Sequence, residues 1–130
     1  MQDRSTLFKI LLLISILILL GLGYFAYQTF SVNRSMENYT QNYINTALKN
    51  NDNDKLLKIS SDQQVFHDLK AQKQVVIRFK TDNQGSGKVA YFPATIGSKS
   101  KMYGVTLTIH SWLKHQYTLK QVSDLKDQKN

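Results

Sequence analysis

From Ile10 to Asn33 the chain has no charged side chain, and eleven isoleucines and leucines fall between Ile10 and Leu22. This feature limits the fold more than any other. So much apolar surface needs a large apolar partner, and the remaining hundred or so residues are too few and too polar to supply one. Read as a helix, residues 10–30 span roughly 31 Å, close to the hydrocarbon thickness of a bilayer. The eleven Ile and Leu side chains favour insertion by about 3–6 kcal/mol. Ser15 alone interrupts the run, and a helical serine can bond the carbonyl four residues back. Tyr24, Phe25, Tyr27 and Phe30 gather at the C-terminal end, where an interfacial aromatic belt belongs.

Residues 10–30 are therefore expected to form one transmembrane helix. Arg4 and Lys9 precede it, whereas Arg34 is offset by Glu37 on the other side. That bias puts residues 1–9 in the cytoplasm and residues 31–123, as a domain, outside the cell membrane, followed by a flexible tail over 124–130. A cleaved signal peptide is the main competitor, with small residues at Gly21-Leu-Gly23. The apolar and aromatic run continues past Gly23 to Phe30, which favours an uncleaved anchor. A prepilin leader would need an acidic residue just inside its processing point, and none is present. With no cysteine in the chain, lipoprotein anchoring, disulfides and thiolate chemistry are excluded.

Beyond Phe30 lie fifteen of the seventeen basic and eight of the nine acidic side chains, a net charge of +7 carried almost wholly by lysine. Such a domain beside a membrane has anionic headgroups, phosphate-rich wall polymers, nucleic acid or acidic proteins as possible partners. The lysines are scattered among Asn, Asp and Gln, which also suits plain solubility. Lysine and asparagine richness without cysteine, behind a bare anchor, is a Gram-positive surface-protein composition.

Met36, Tyr39, Tyr43, Ile44, Ala47 and Leu48 recur at offsets of three and four, predicting a helix over 35–50 that can continue directly from the anchor. Asn50 to Asp54 ends it. A short helix from Asp54 to Ile59 should bury Leu56, Leu57 and Ile59. After a cap at Ser60–Asp62, a third helix to Lys70 should bury Val65, Phe66 and Leu69. The period then changes to two. Val75–Lys80, Lys88–Ile96 and Tyr103–His110 are expected strands, separated by loops at 82–87 and 97–101. A turn near 112–115 leads to a last strand with Tyr117, Leu119 and Val122. Pro93 places the second strand at an edge or a bulge. The fold class is α+β: two or three helices packed on a four-stranded antiparallel meander.

The stretch Asn38-Tyr-Thr-Gln-Asn-Tyr-Ile-Asn-Thr-Ala-Leu-Lys-Asn-Asn-Asp-Asn-Asp-Lys-Leu-Leu-Lys-Ile-Ser60 resembles the opening of cystatin-like domains of the nuclear-transport-factor-like superfamily. Those begin with a long helix, a polar turn and a short helix before a curved antiparallel sheet. Membrane-anchored members, including the inner-membrane assembly proteins of type IV secretion and conjugation, are similar in overall layout. The resemblance covers residues 36–123 as an order of elements, has a shorter sheet than the family, and carries no functional residue across.

No catalytic constellation stands out. His110 and His115 lack a carboxylate at metal spacing, and His67 sits alone beside Asp68. The expected strands contain no carboxylate for acid–base work, and the 82–87 loop lacks a phosphate-binding motif. The expectation is a non-enzyme without cofactor or metal. Its partners are the lipid bilayer and envelope proteins, with self-association through a helix seam at Tyr39 and Tyr43 and strand addition at an edge near 88–96. The alternative is a binder of an anionic envelope polymer or headgroup through Lys99, Lys101 and Lys114. A membrane-anchored immunity or inhibitor protein is a third option. Stacking of nucleic acid on the sheet aromatics is disfavoured by an outside location.

Overall fold

A computed structural model of the chain describes residues 3–98 and 100–125. The chain divides into two compact units with the boundary between Val32 and Asn33. Helix α1 (Arg4–Lys49) is 46 residues long and includes both expected helical stretches. No glycine or proline lies between Phe30 and Met36 to interrupt it.

In the first unit every large apolar side chain from Leu7 to Phe30 is exposed. The serine and the threonine in that stretch satisfy themselves: Ser15 donates to the Leu11 carbonyl at 2.9 Å and Thr29 to the Phe25 carbonyl at 3.0 Å. By length and composition this helix suffices to cross a membrane.

The second unit is α+β. Its own part of α1 is followed by α2 (Asn53–Ile59), α3 (Gln63–Lys70), β1 (Ile77–Phe79), β2 (Val89–Ile96), β3 (Met102–Ser111) and β4 (Gln116–Asp124). The short helices start where the sequence supplies caps. Asp52 accepts from the Lys55 N–H and Asp62 from the Val65 N–H, each cap worth about 1 kcal/mol. Leu56, Ile59, Val65, Phe66 and Leu69 are buried as expected, but Leu57 is 41% exposed. Within α1 the buried line is Met36, Thr40, Ile44 and Ala47, while Tyr39, Tyr43 and Leu48 are half-buried. Thr40 escapes a reading based on apolar residues. It is buried at no polar cost because its hydroxyl donates to the Met36 carbonyl at 2.8 Å.

The strands form one open antiparallel sheet in the order β1-β2-β3-β4, a meander. One face carries Ala90, Phe92, Ala94, Ile96, Tyr103, Val105, Leu107, Ile109, Tyr117 and Leu119, all buried. In β4, Lys120 has no partner between the pairs Thr106–Gln121 and Leu107–Leu119. This bulge shifts the alternation by one, so Leu119 and Val122 are both buried despite an odd spacing. Strand β4 reaches Asp124, one residue into the segment expected as tail. Residues 126–130 of that segment lie outside the described residues.

The edge or bulge expected at Pro93 is corrected: β2 lies between β1 and β3, and its pairing with β3 runs through Pro93 without a shift. Pro93 is tolerated there because β1 ends at Phe79, opposite Ala94. The Pro93 carbonyl accepts from the Lys80 N–H at 2.8 Å, and the ladder to β1 ends at this residue, where Pro93 has no N–H to return. Beyond it the loop closes the strand. Asn83 accepts from the Tyr91 N–H at 3.0 Å, and the Gln84 N–H donates to the Tyr91 carbonyl at 2.9 Å. Strand addition at 88–96 therefore has no free edge to use.

The real outer edge of β1 is closed by side chains. On α1, Glu37, Gln41 and Asn45 stand four apart in one row. They accept from the N–H groups of Phe79 at 2.7 Å, Ile77 at 3.0 Å and Val75 at 2.8 Å, and Asn45 also donates to the Val75 carbonyl at 2.9 Å. A three-residue edge strand thus gets its missing hydrogen bonds from a helix. At the other edge, the Val122 carbonyl accepts from the Ser61 N–H at 3.0 Å.

Candidate functional site

Three features of the second unit combine side chains capable of chemistry or contact. The first is a buried charge cluster. Lys101, just before β3, places its Nζ 3.0 Å from Asp68 Oδ2 and 2.6 Å from Asp124 Oδ2. The Tyr103 hydroxyl donates to Asp68 Oδ2 at 2.8 Å and Gln64 Nε2 to Asp68 Oδ1 at 2.9 Å. Burial alone would raise the Asp68 carboxyl, but the bonds from Lys101, Tyr103 and Gln64 outweigh it and bring it down to about 2. Lys101 is pushed up, first by Asp124 and then, against burial, by Asp68. Burial followed by the Asp68 bond raises the Tyr103 phenol. All three groups move away from neutrality, so none is poised to exchange a proton. The cluster ties α3, β3 and β4 together.

This cluster changes the meaning of a residue the sequence marks for binding. Lys101 faces two carboxylates and is not a free cation. Lys114 is exposed in the turn after β3, at the far end of that ten-residue strand, roughly 30 Å from Lys101 at about 3.3 Å per residue. The structure does not bring the two together. Lys99 lies outside the described residues. Asp68 and Asp124 could not be found from sequence as Lys101's partners, because their pairing depends on a contact 33 residues apart and on the end of β4.

The second feature is a cavity of about 310 Å³ whose lining includes Lys49, Lys70, Lys73, Asn51, Asn53 and Gln72. Three lysines met separately in the sequence converge here. Two of them stand at helix C-termini, Lys49 on α1 and Lys70 on α3. There the negative end of the helix dipole takes up part of their field, and Lys70 also lies 5.6 Å from the Phe66 ring centre.

The third is the tyrosine seam expected on α1. Tyr39 and Tyr43 have ring centres 6.3 Å apart, and both line a shallow groove of about 230 Å³ with Asn42, Thr46 and Lys55. Tyr117 packs edge-on against Tyr39 at 5.9 Å and shares a 3.1 Å hydrogen bond with His115. Burial, then Tyr39 and Asp52, raises the Tyr43 phenol, so it is neutral at physiological pH. This seam offers half-buried aromatic surface with hydroxyl groups, the composition favoured at protein contacts.

Among the described residues no group of three or more His, Asp or Glu side chains is placed to hold a metal ion. Compared with known proteins, the chain matches no family model, no curated sequence and no solved structure.

Proposed function

We propose that this chain is a single-pass membrane protein. In this reading residues 10–30 lie in the cell membrane, the N-terminus is cytoplasmic, and the α+β unit stands outside with its helices covering the apolar face of the sheet. The domain acts without catalysis, as an assembly or scaffold component of a bacterial envelope machine such as a secretion or conjugation apparatus, in the manner of a cystatin-like ectodomain. The observation that carries this reading is the uncharged and wholly exposed apolar stretch of α1 preceding a compact domain. Tethering to a surface raises the effective concentration of whatever the domain meets, so a small contact surface suffices. The Tyr39–Tyr43 groove supplies such a surface, for an envelope protein or a second copy of the chain.

Photo-crosslinking from position 42 or 43 in cells tests the groove. The expected result is a discrete crosslinked species that disappears when Tyr39 is replaced by Asp. Absence of any position-specific species counts against the groove as a contact site.

The lysine-lined cavity favours a second reading, in which the domain binds an anionic wall polymer or headgroup. Salt separates the two readings. Polyanion binding weakens steeply between low and physiological ionic strength, while an apolar protein contact does not.

A further inference from the structure

The turn joining β3 to β4 places Trp112 and Leu113 in solvent, 45% and 81% exposed, followed by exposed Lys114. A hairpin tip needs turn residues, not a tryptophan and a leucine. Single exposed apolar residues are ordinary, but here two adjoin at a tip. The end of the domain that bears this tip is fixed by contacts within the second unit. Tyr117, just after the turn, bonds Ser35 and packs on Tyr39. The 82–88 segment runs to the same end: Asn33 donates to Asp82 at 3.4 Å, and the Ile109 N–H donates to the Lys88 carbonyl at 2.7 Å. The end of this loop and the start of β2 add exposed Lys88 and Val89.

Chain connectivity ties that end to the apolar stretch. Ser35 is five positions on from Phe30, a reach of at most about 17 Å even when fully extended. Tryptophan prefers the headgroup layer, where its ring is apolar and its N–H finds a partner. Each lysine held near an anionic leaflet favours contact by about 1 kcal/mol, roughly fivefold.

We infer that the β3–β4 turn is a second membrane contact: Trp112 and Leu113 enter the headgroup layer of the bilayer that holds α1, and Lys88 and Lys114 meet anionic headgroups there. This rests on the membrane anchoring proposed above. Its effect is to restrict the domain's tilt and keep one end facing the membrane.

The chain has one tryptophan, so Trp112 is its own probe. The full chain is reconstituted into phosphatidylcholine vesicles with or without phosphatidylglycerol, and flotation with the vesicles is measured first. In phosphatidylglycerol vesicles, lipids brominated near the headgroup should quench Trp112, and iodide should quench it several-fold less than in the Leu113→Asp variant. Replacing Lys114 by Gln should shift the docked fraction by about fivefold. Floating protein whose Trp112 is untouched by brominated lipid and fully open to iodide overturns the docking while leaving the anchor intact. Protein that fails to float overturns both. Leu113 is too exposed for its replacement to unfold the domain, and an unchanged far-ultraviolet dichroism spectrum verifies this.

Discussion

From Ile10 to Phe30, α1 turns leucine, isoleucine and aromatic side chains outward on every side, and none is buried. From Asn33 to Lys49 the same helix sorts its side chains by direction. Met36, Thr40, Ile44 and Ala47 are buried, Glu37, Gln41 and Asn45 bond β1, and Arg34, Asn38, Asn42 and Thr46 face water. Backbone geometry is shared, so side-chain chemistry alone assigns a solvent to each stretch. Apolar residues on all sides suit a medium without water, and a narrow apolar stripe flanked by polar rows suits a small domain's core.

The two stretches should therefore fail differently when changed. Replacing Leu17 and Ile18 by Arg costs about 5–7 kcal/mol at a helix centre, enough to cancel the insertion preference. The protein should then be extracted from membranes by alkaline carbonate, with its domain still folded. Ile44→Ala should do the reverse: the domain loses about 2–5 kcal/mol in a denaturant titration, and membrane retention is unchanged.

Asp68→Asn serves as a control remote from the helix. It should cost about 2 kcal/mol, because Lys101 keeps Asp124 and Tyr103 keeps a neutral acceptor. The carboxyl is lower in the folded chain than the ordinary 3.8, at about 2. Its contribution is thus fully present above pH 4 and is lost as pH falls toward 2. Stability measured across that window should drop for the parent protein and lack this component in the variant. The smallest effect is expected from Gln41→Ala, about 1 kcal/mol. Its signature is local: faster amide exchange at Ile77, with the exchange of β3 unchanged.

The sequence exposes the features that depend on local pattern. The apolar stretch, the Asp62 cap, the 82–87 loop, the turn at 112–115 and the β3 alternation are each written in adjacent residues, and the structure has them all. The features that are not legible in the sequence depend on distant partners. Pro93 reads as an edge or bulge residue because the sequence does not say that β1 is only three residues long and stops beside it. Lys101 looked like a binding cation because its two carboxylates lie on α3 and at the end of β4. Thr40 and the row Glu37–Gln41–Asn45 are polar and fall outside the apolar stripe, although Thr40 is core and the row serves as a surrogate strand. Lys49, Lys70 and Lys73 looked scattered because a fold, not a motif, gathers them. Residue type alone puts Leu57 in the core, but a seven-residue helix has too few positions for periodicity to decide.

The central claim is that residues 10–30 remain in the membrane with the domain outside. Because the chain lacks cysteine, single cysteines introduced at Ser5 and at exposed Ser86 report the two sides without background. A membrane-impermeant thiol reagent added to intact cells should label the position 86 variant and should reach the position 5 variant only after lysis, with both proteins full-length in the membrane fraction. Labelling of position 5 alone in intact cells, or a position 86 protein shortened near Gly23 and released into the medium, contradicts the account.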